Sequence, residues 1–163
     1  MGKKLLHTTG YDEEGRIIHI NEAERGGIYT CPLCQERIIA RNEGKSQRPH
    51  FAHFKKTEAG CSGETLLLHL FRQKAIDILK GHISRKEAFP IRWSCPLCNR
   101  LYEKDMLQQV ASLAIDFSIE GHHPDITLLN DKGHPLFAIK LLIRRKLTKK
   151  TLHFYEEKGI ILI

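Results

Sequence analysis

The chain has 163 residues, and 41% of them are hydrophobic, a fraction that supports a packed core and excludes an intrinsically disordered protein. Lysine and arginine exceed aspartate and glutamate by 26 to 19, which gives a formal net charge of +7. This charge favours nucleic acid as a partner, with a merely solvated basic surface as the alternative. No apolar run reaches the roughly 18 residues of a membrane span, and the N-terminus lacks the apolar core of a signal peptide. We therefore expect a cytoplasmic protein of one compact domain or two small ones that does not bind a membrane.

The first third of the chain predicts short strands around a cysteine pair. Apolar alternation indicates extended structure, and so does Pro49, which disfavours helix at the residue before it. The segments concerned are 16–20, 26–30, 36–42 and 48–53. One of them leads into Cys31-Pro-Leu-Cys34 and the next one leaves it, as strands do on either side of a zinc knuckle.

One long helix is predicted next, over residues 61–82. Ser62 is its expected N-cap, and Glu64 in the first turn favours a helix start at this point. Apolar residues such as Phe71 and Ile78 are spread around most of the circumference. Such a distribution is typical of a largely buried helix.

The second half predicts a sheet with a crossover helix. Strands are expected over 89–94, 112–121, 124–130, 136–143 and 160–163. Residues 103–110 favour a short helix, and residues 130–133, with Gly133 available for positive φ, favour a hairpin turn. Thr148 is the expected cap of a second helix that Gly159 ends. The order β-β-β-α-β at the end of the chain predicts an α+β fold.

The cysteines indicate a metal site. Five cysteines in a reducing compartment favour metal ligation over disulfides. The tight turn between Cys31 and Cys34 can direct both thiolates at one ion, and further ligand types follow closely. We expect a closed, structural zinc site formed by Cys31, Cys34, His53 and Cys61, with His50 as the rival for the histidine position. The alternative is a set of buried free thiols.

A second pair, Cys95-x-x-Cys98, repeats the knuckle without an obvious pair of ligands close behind it. Three interpretations stay open. The pair could borrow a ligand such as His69, it could join Cys31 and Cys34 in a Cys₄ site, or it could hold no metal.

Several motifs follow one another in the order and with the spacing of a known family. They are CPLC, RPHFAH, GETLLLH and DFSIEGHHPDITLLNDKGHPLFAIKLLI. Over residues 29–163 the chain thereby resembles the CoiA-like competence protein family, in which a zinc-knuckle segment is joined to a PD-(D/E)xK nuclease-like core. The resemblance implies an α+β fold with an N-terminal zinc-knuckle β segment, a long helix, and a PD-(D/E)xK nuclease-like mixed sheet with flanking helices. It implies a first domain over 1–61 and a second over 62–163 that contains the second knuckle.

The resemblance also implies positions for catalytic residues. The family's helix motif, its acidic strand residue and its Pro-Asp dipeptide are matched by Glu64, His69, Lys74, Asp116, Pro124 and Asp125. On the following strand, Lys140 stands where the family has a glutamate, and Leu142 stands where related nucleases have a lysine. Pairing across the hairpin is expected to place Lys140 beside Asp125.

The lysine matters because nucleases of this type bind Mg²⁺ or Mn²⁺ through carboxylates, and the cation activates the attacking water. An ammonium group beside Asp125 opposes a bound cation. We expect a degenerate site made of Asp125, Asp116, Lys140 and Glu64. The alternative is an active site in which Lys140 replaces the missing lysine from a shifted position, and Glu64 and Asp116 supply ligands.

A basic cluster follows the hairpin, and its members can contact a phosphate backbone. They are Arg144, Arg145, Lys146, Lys149 and Lys150. The chain is therefore expected to bind nucleic acid, in particular DNA, on a nuclease scaffold with little or no activity. The alternatives are an active Mg²⁺-dependent DNA endonuclease and a zinc-stabilised protein-interaction module. Purely structural roles are the simpler interpretation of single residues, such as Asp125 in a turn, Lys140 on an edge strand or His69 in the core.

Overall fold

The computed structural model describes residues 6–43, 47–55, 60–94, 98–143 and 146–163. The chain divides into two compact units, Met1–Phe71 and Arg72–Ile163. The division falls within the long helix.

The N-terminal unit is built on a five-stranded sheet in the order β2-β1-β3-β4-β5, in which neighbouring strands pair antiparallel. Its strands are β1 (Thr9–Tyr11), β2 (Ile17–His19), β3 (Tyr29–Thr30), β4 (Arg37–Arg41) and β5 (His50–His53). The last four confirm the predicted extended segments, whereas β1 was not predicted. The core of this unit consists of Ile20, Ala23, Tyr29, Cys31, Ile38 and Phe51. A cysteine is thus a core residue of the sheet.

The long helix α1 spans Gly63–Arg85. The predicted N-cap is confirmed, because Ser62 Oγ accepts from Thr65 N–H at 3.1 Å, and Thr65 Oγ1 accepts from Ser62 N–H at 2.8 Å. The prediction of a largely buried helix was wrong, since Leu67, Phe71 and Ile78 are 48%, 59% and 40% exposed. These three residues make the helix look apolar around most of its circumference in the sequence, but they do not belong to the helix face that packs against the core.

The C-terminal unit begins with a two-stranded antiparallel hairpin of β6 (Pro90–Ser94) and β7 (Leu101–Asp105). The helix predicted over 103–110 is wrong. Glu103 and Lys104 pair across to β6, and the segment after β7 forms turns. Asp105 Oδ1 accepts from Leu107 N–H at 2.9 Å and from Phe89 N–H at 2.8 Å, which ties this turn to the start of the hairpin. Strand pairing therefore overrides a helix preference that is only local.

A four-stranded mixed sheet in the order β11-β10-β9-β8 completes this unit. Its elements are β8 (Ser112–Ala114), β9 (Ile126–Leu129), β10 (Pro135–Ile139), α2 (Lys149–Glu157) and β11 (Ile161–Leu162). The strand β11 pairs parallel with β10, and the other pairs are antiparallel. The predicted β-β-β-α-β order and the predicted α+β class are confirmed.

Helices cover both faces of this sheet. Phe137 of β10 lies in one core cluster with Ile76 and Leu79 of α1, whereas the next residue, Ala138, lies in another with Tyr155 of α2. Successive strand residues point to opposite faces, so α1 and α2 pack on opposite sides. Within the described ranges, neither helix is long and apolar enough to cross a membrane.

The predicted cap and end of the second helix and the predicted hairpin turn are confirmed. Thr148 accepts from Thr151 N–H at the start of α2, and Gly159 has a φ of 66° directly after its C-cap. In the turn after β9, Asn130 Oδ1 accepts from Lys132 N–H and His134 N–H, and Gly133 has a φ of 76°. This turn joins β9 to β10, and a register shift between Pro135 and Phe137 then sets the pairing of the start of β9 with the end of β10.

Candidate functional site

Four predicted ligands meet in the N-terminal unit. The ligand atoms of Cys31, Cys34, His53 and Cys61 all lie within 4.8 Å of one another, and Cys34 Sγ is 3.3 Å from His53 Nε2. Tetrahedral zinc, with bonds of about 2.3 Å to sulfur and about 2.0 Å to nitrogen, spaces its ligand atoms about 3.5 to 3.8 Å apart. The four side chains therefore lie close enough to bind a metal such as zinc.

Two local structures hold the cysteines in place. At the knuckle, Cys31 N–H donates to Glu36 O at 2.8 Å, and Gln35 N–H donates to Cys31 O at 2.8 Å. Gln35 adopts a φ of 61°, which closes the turn between β3 and β4. At the other end of the site, Cys61 directly precedes Ser62, the N-cap of α1. The knuckle turn and the helix start thus each fix the backbone next to a thiol of the site.

The strand β5 selects His53 over its rival His50. The two residues are three apart, so they point to opposite faces of the sheet. Phe51 shares a face with His53 and is only 2% exposed, which identifies that face as the core side. The His50 ring instead contacts the backbone two residues earlier, with Nδ1 2.8 Å from Arg48 O. The predicted choice of His53 thus follows from the side of the sheet on which the core lies.

The electrostatics of the group suit a cation. Burial raises the pKa of the Cys31 thiol, and burial followed by the hydrogen bond with Cys34 raises the pKa of Cys61 to about 12. Thiolates crowded together in this way need a compensating positive charge, and a divalent cation supplies it. The sulfur ligands are thus chemically matched to a metal ion.

His7 is a neighbour of the site that the sequence did not indicate. Its ring centroid is 5.5 Å from that of His53, and burial, followed by the charge of His53, lowers its pKa to about 4. His7 is therefore neutral at neutral pH and adds no positive charge beside a bound cation. A lone histidine far from the motif in sequence offers no pattern by which it could have been found.

The second cysteine pair is only partly described. Cys95 lies outside the described residues, and Cys98 is exposed with its Sγ 3.8 Å from Tyr102 Oη. In the described part of the chain, the Cys31 group is the only set of three or more histidine, cysteine or acidic side chains close enough to share an ion. Metal at the second pair stays a prediction.

The hairpin brings Asp125 and Lys140 together, as its register predicts. Lys140 Nζ lies 3.5 Å from Asp125 Oδ2 and donates to His123 O at 2.7 Å. Asp125 Oδ2 also accepts from Leu141 N–H at 2.8 Å, and Asp125 N–H donates to Ile139 O at 2.9 Å. Both side chains are partly exposed, at 24% for Asp125 and 35% for Lys140. The carboxylate is thus already paired with a cation of the chain itself.

The remaining candidate catalytic residues are described one by one. Asp116 does not lie on a strand, because β8 ends at Ala114 and Asp116 has a φ of 55°. Its side chain is 84% exposed and lies 3.8 Å from Arg72 Nη1. Glu64 lies in the first turn of α1, within the N-terminal unit. Leu142 follows β10 and is 40% exposed.

The basic cluster is described in part. Arg144 and Arg145 lie outside the described residues, and Lys146, Lys149 and Lys150 are exposed. Lys149 and Lys150 occupy the first turn of α2, which contains no acidic residue. Two cations at the positive end of a helix dipole repel that end and favour a nearby anion.

The segment that contains the candidate metal site matches a known domain model. Residues 15–62 match the family model described as "Competence protein CoiA, N-terminal domain". This part of the N-terminal unit is similar to a CoiA N-terminal domain. All four ligands of the candidate metal site lie within the matched residues 15–62, called the CoiA domain below, and the match ends before α1. The resemblance to the CoiA-like competence proteins is confirmed for that segment. Neither the curated proteins nor the solved structures contain a significant match to the chain.

Proposed function

We propose that this chain is a competence-related protein that binds DNA through its C-terminal unit and does not cleave it. The CoiA N-terminal domain supports the relation to competence. The mixed sheet covered by helices on both faces, with Pro124-Asp125 leading into β9, supports a PD-(D/E)xK nuclease-like scaffold for the C-terminal unit. The cysteines as metal ligands are consistent with a cytoplasmic protein.

The position of the Lys140 ammonium group carries the proposal that catalysis is lost. It lies between Asp125 Oδ2 and His123 O, two oxygens of the kind that bind Mg²⁺. At about 4 Å and an effective dielectric constant of ~20, unit charges interact by about 4 kcal/mol. Partial exposure reduces this value, but a divalent cation must still displace the ammonium group. Lys140 therefore acts as a built-in cation in place of the metal.

In the CoiA domain we propose that Cys31, Cys34, His53 and Cys61 hold zinc. Three sulfurs and one ring nitrogen complete a tetrahedron and leave no open position for water or substrate. Such a closed site is structural. Its function is to join the knuckle, β5 and the start of α1 in a small sheet domain.

A cleavage assay tests the proposal directly. The purified chain, incubated with Mg²⁺ or Mn²⁺, is expected to leave single-stranded and double-stranded DNA intact while it binds both in a salt-dependent manner. Cleavage by the wild type that disappears in Asp125→Ala would contradict the loss of catalysis and favour the rearranged active site. Absence of salt-dependent binding would favour an acidic protein partner instead.

Neutralising the exposed lysines of the basic cluster is expected to weaken DNA binding. The triple change of Lys146, Lys149 and Lys150 to glutamine should flatten the dependence of log affinity on log salt by roughly 0.9 for each phosphate of duplex DNA that the variant no longer neutralises. Fluorescence anisotropy of a labelled duplex, measured over a salt series, gives this slope.

Lys80 offers a matched control, because it is an exposed lysine of α1 in the same unit. Lys80→Gln should keep the wild-type slope. Equal slopes for the triple variant and the wild type would show that the cluster is only a solvated face.

A further inference from the structure

The hairpin of β6 and β7 exposes an aromatic pair that the proposed function does not use. Near its base, Phe89 and Ile91 pack against the core of the C-terminal unit. Further along, Trp93 and Tyr102 are 45% and 42% exposed. Large aromatic side chains gain most by burial, so two of them side by side at the surface indicate a binding function.

The two rings form a flat stack. Trp93 and Tyr102 lie directly opposite each other in the strand register, and their ring centroids are 5.7 Å apart at an interplanar angle of 17°. In the described residues, neither ring packs against a third ring or a cation. Both rings are also partly exposed, so the stack leaves aromatic surface accessible to another flat group.

Charge and surroundings indicate which flat group fits. Lys104 belongs to the same face of the hairpin, opposite Ile91, and Arg100 is exposed just before β7. Within the described part of the chain, these two cations make no ion pair with an acidic side chain, whereas Arg92 pairs with Glu103 on the other face. The exposed Leu101 also belongs to that other face, so the aromatic face is not a continuous apolar patch of the kind that a protein partner covers.

We infer that the Trp93–Tyr102 pair stacks on unpaired bases of single-stranded nucleic acid, with Lys104 and Arg100 contacting the adjacent phosphates. This inference rests on the proposed nucleic-acid binding and names the form of the ligand. Stacking on an aromatic platform needs an accessible base face, which a single strand offers and a closed duplex does not. The pair therefore gives the protein a preference for single strands that the basic cluster alone cannot provide.

The fluorescence of Trp93 tests the inference, because it is the only tryptophan of the chain. The full chain is titrated with a short oligothymidylate and, separately, with a duplex of equal length. Binding is followed independently by the anisotropy of a label on the DNA. Single-stranded DNA is expected to quench the tryptophan emission in step with binding, and the duplex is expected to bind with little quenching.

Substitutions supply the second readout. Trp93→Leu should weaken binding of the oligothymidylate by roughly tenfold and leave the salt slope unchanged, since it removes stacking and no charge. Trp93→Phe should keep most of the affinity. Tyr102→Leu should lower affinity while it retains the fluorescent reporter. Leu101→Ser, an exposed apolar position on the other face of the same hairpin, is the matched control and should bind like the wild type.

The outcomes separate this inference from the proposed function. Anisotropy that shows binding without quenching, together with wild-type affinity of a folded Trp93→Leu or Tyr102→Leu variant, would overturn the stacking role and leave DNA binding intact. No binding of either DNA at low salt would overturn both. Thermal melting by circular dichroism verifies that each variant is folded.

Discussion

Replacing Cys31 with serine is expected to abolish metal binding and to unfold the N-terminal unit. Cys31 is fully buried and belongs to the core of that unit, so it contributes both a ligand and a packed side chain. The core is small, and zinc binding in comparable peptide sites contributes about 10 to 16 kcal/mol to folding. The free energy lost with one ligand of four should therefore exceed the unit's own stability.

Metal analysis and two melting signals measure this effect. Wild-type protein should contain at least one zinc ion per chain. The Cys31→Ser variant should contain one zinc ion per chain fewer than the wild type. Circular dichroism should show a large loss of the melting transition, while the emission of Trp93, which lies in the C-terminal unit, should report a separate transition that changes little. A chelator should act on the wild type as the substitution does.

The two histidines of β5 provide the matched comparison. His53→Gln should lose zinc, whereas His50→Gln, on the opposite face of the same strand, should retain it. A preparation that is folded and free of zinc would refute the structural metal. Loss of zinc in His50→Gln but not in His53→Gln would show that the ligand lies on the opposite face of the sheet.

Placing a carboxylate beside Asp125 with Lys140→Glu is the second change with a large expected effect. It removes the ammonium group 3.5 Å from Asp125 Oδ2 and adds an oxygen ligand at the same position. We expect the affinity for Mg²⁺ or Mn²⁺ to increase at least roughly tenfold, because the substitution reverses an interaction of several kcal/mol. Isothermal titration calorimetry with either cation measures the gain.

Lys140→Met separates the effect of removing the positive charge from the effect of adding an oxygen ligand. It removes the charge without adding a ligand and should give an intermediate affinity. Cleavage itself should need a further lysine to stabilise the developing negative charge, so the double variant Lys140→Glu with Leu142→Lys is the stricter test of activity. Unchanged cation affinity in Lys140→Glu would mean that Lys140 does not block the site, and the hairpin would then be an ordinary one.

Much of this architecture can be predicted from short segments. The turn residues 130–133 predict the hairpin itself. Pairing across it was expected to place Lys140 beside Asp125, and the strands reach this pairing through a register shift between Pro135 and Phe137. The second helix begins after Thr148 and ends before Gly159, and each of these boundaries depends on interactions within a few residues of it. The spacing of Cys31 and Cys34 similarly predicts a knuckle, since its geometry is closed by hydrogen bonds inside the turn. These features were predictable because each depends on local interactions.

Other features were not predictable because distant segments decide them. Pairing of β7 with β6 replaces the helix expected over 103–110, and β1 has too short a pattern to be recognised without its neighbours in the sheet. Leu67 and Phe71 are apolar and were expected to be buried, yet both are exposed, because α1 packs through another of its faces. Asp116 was expected on a strand beside Asp125, but β8 ends before it and its carboxylate approaches Arg72 instead.

The sequence by itself determined the ligand types of the candidate metal site, the α+β order of elements and the presence of a lysine beside Asp125, because each depends on short motifs and their order along the chain. Only the tertiary structure decided between His50 and His53, since the choice depends on which face of the sheet is buried by Phe51 and Ile38. It also decided that Trp93 and Tyr102 form one exposed stack, because the two rings are separated along the chain and meet only through strand pairing.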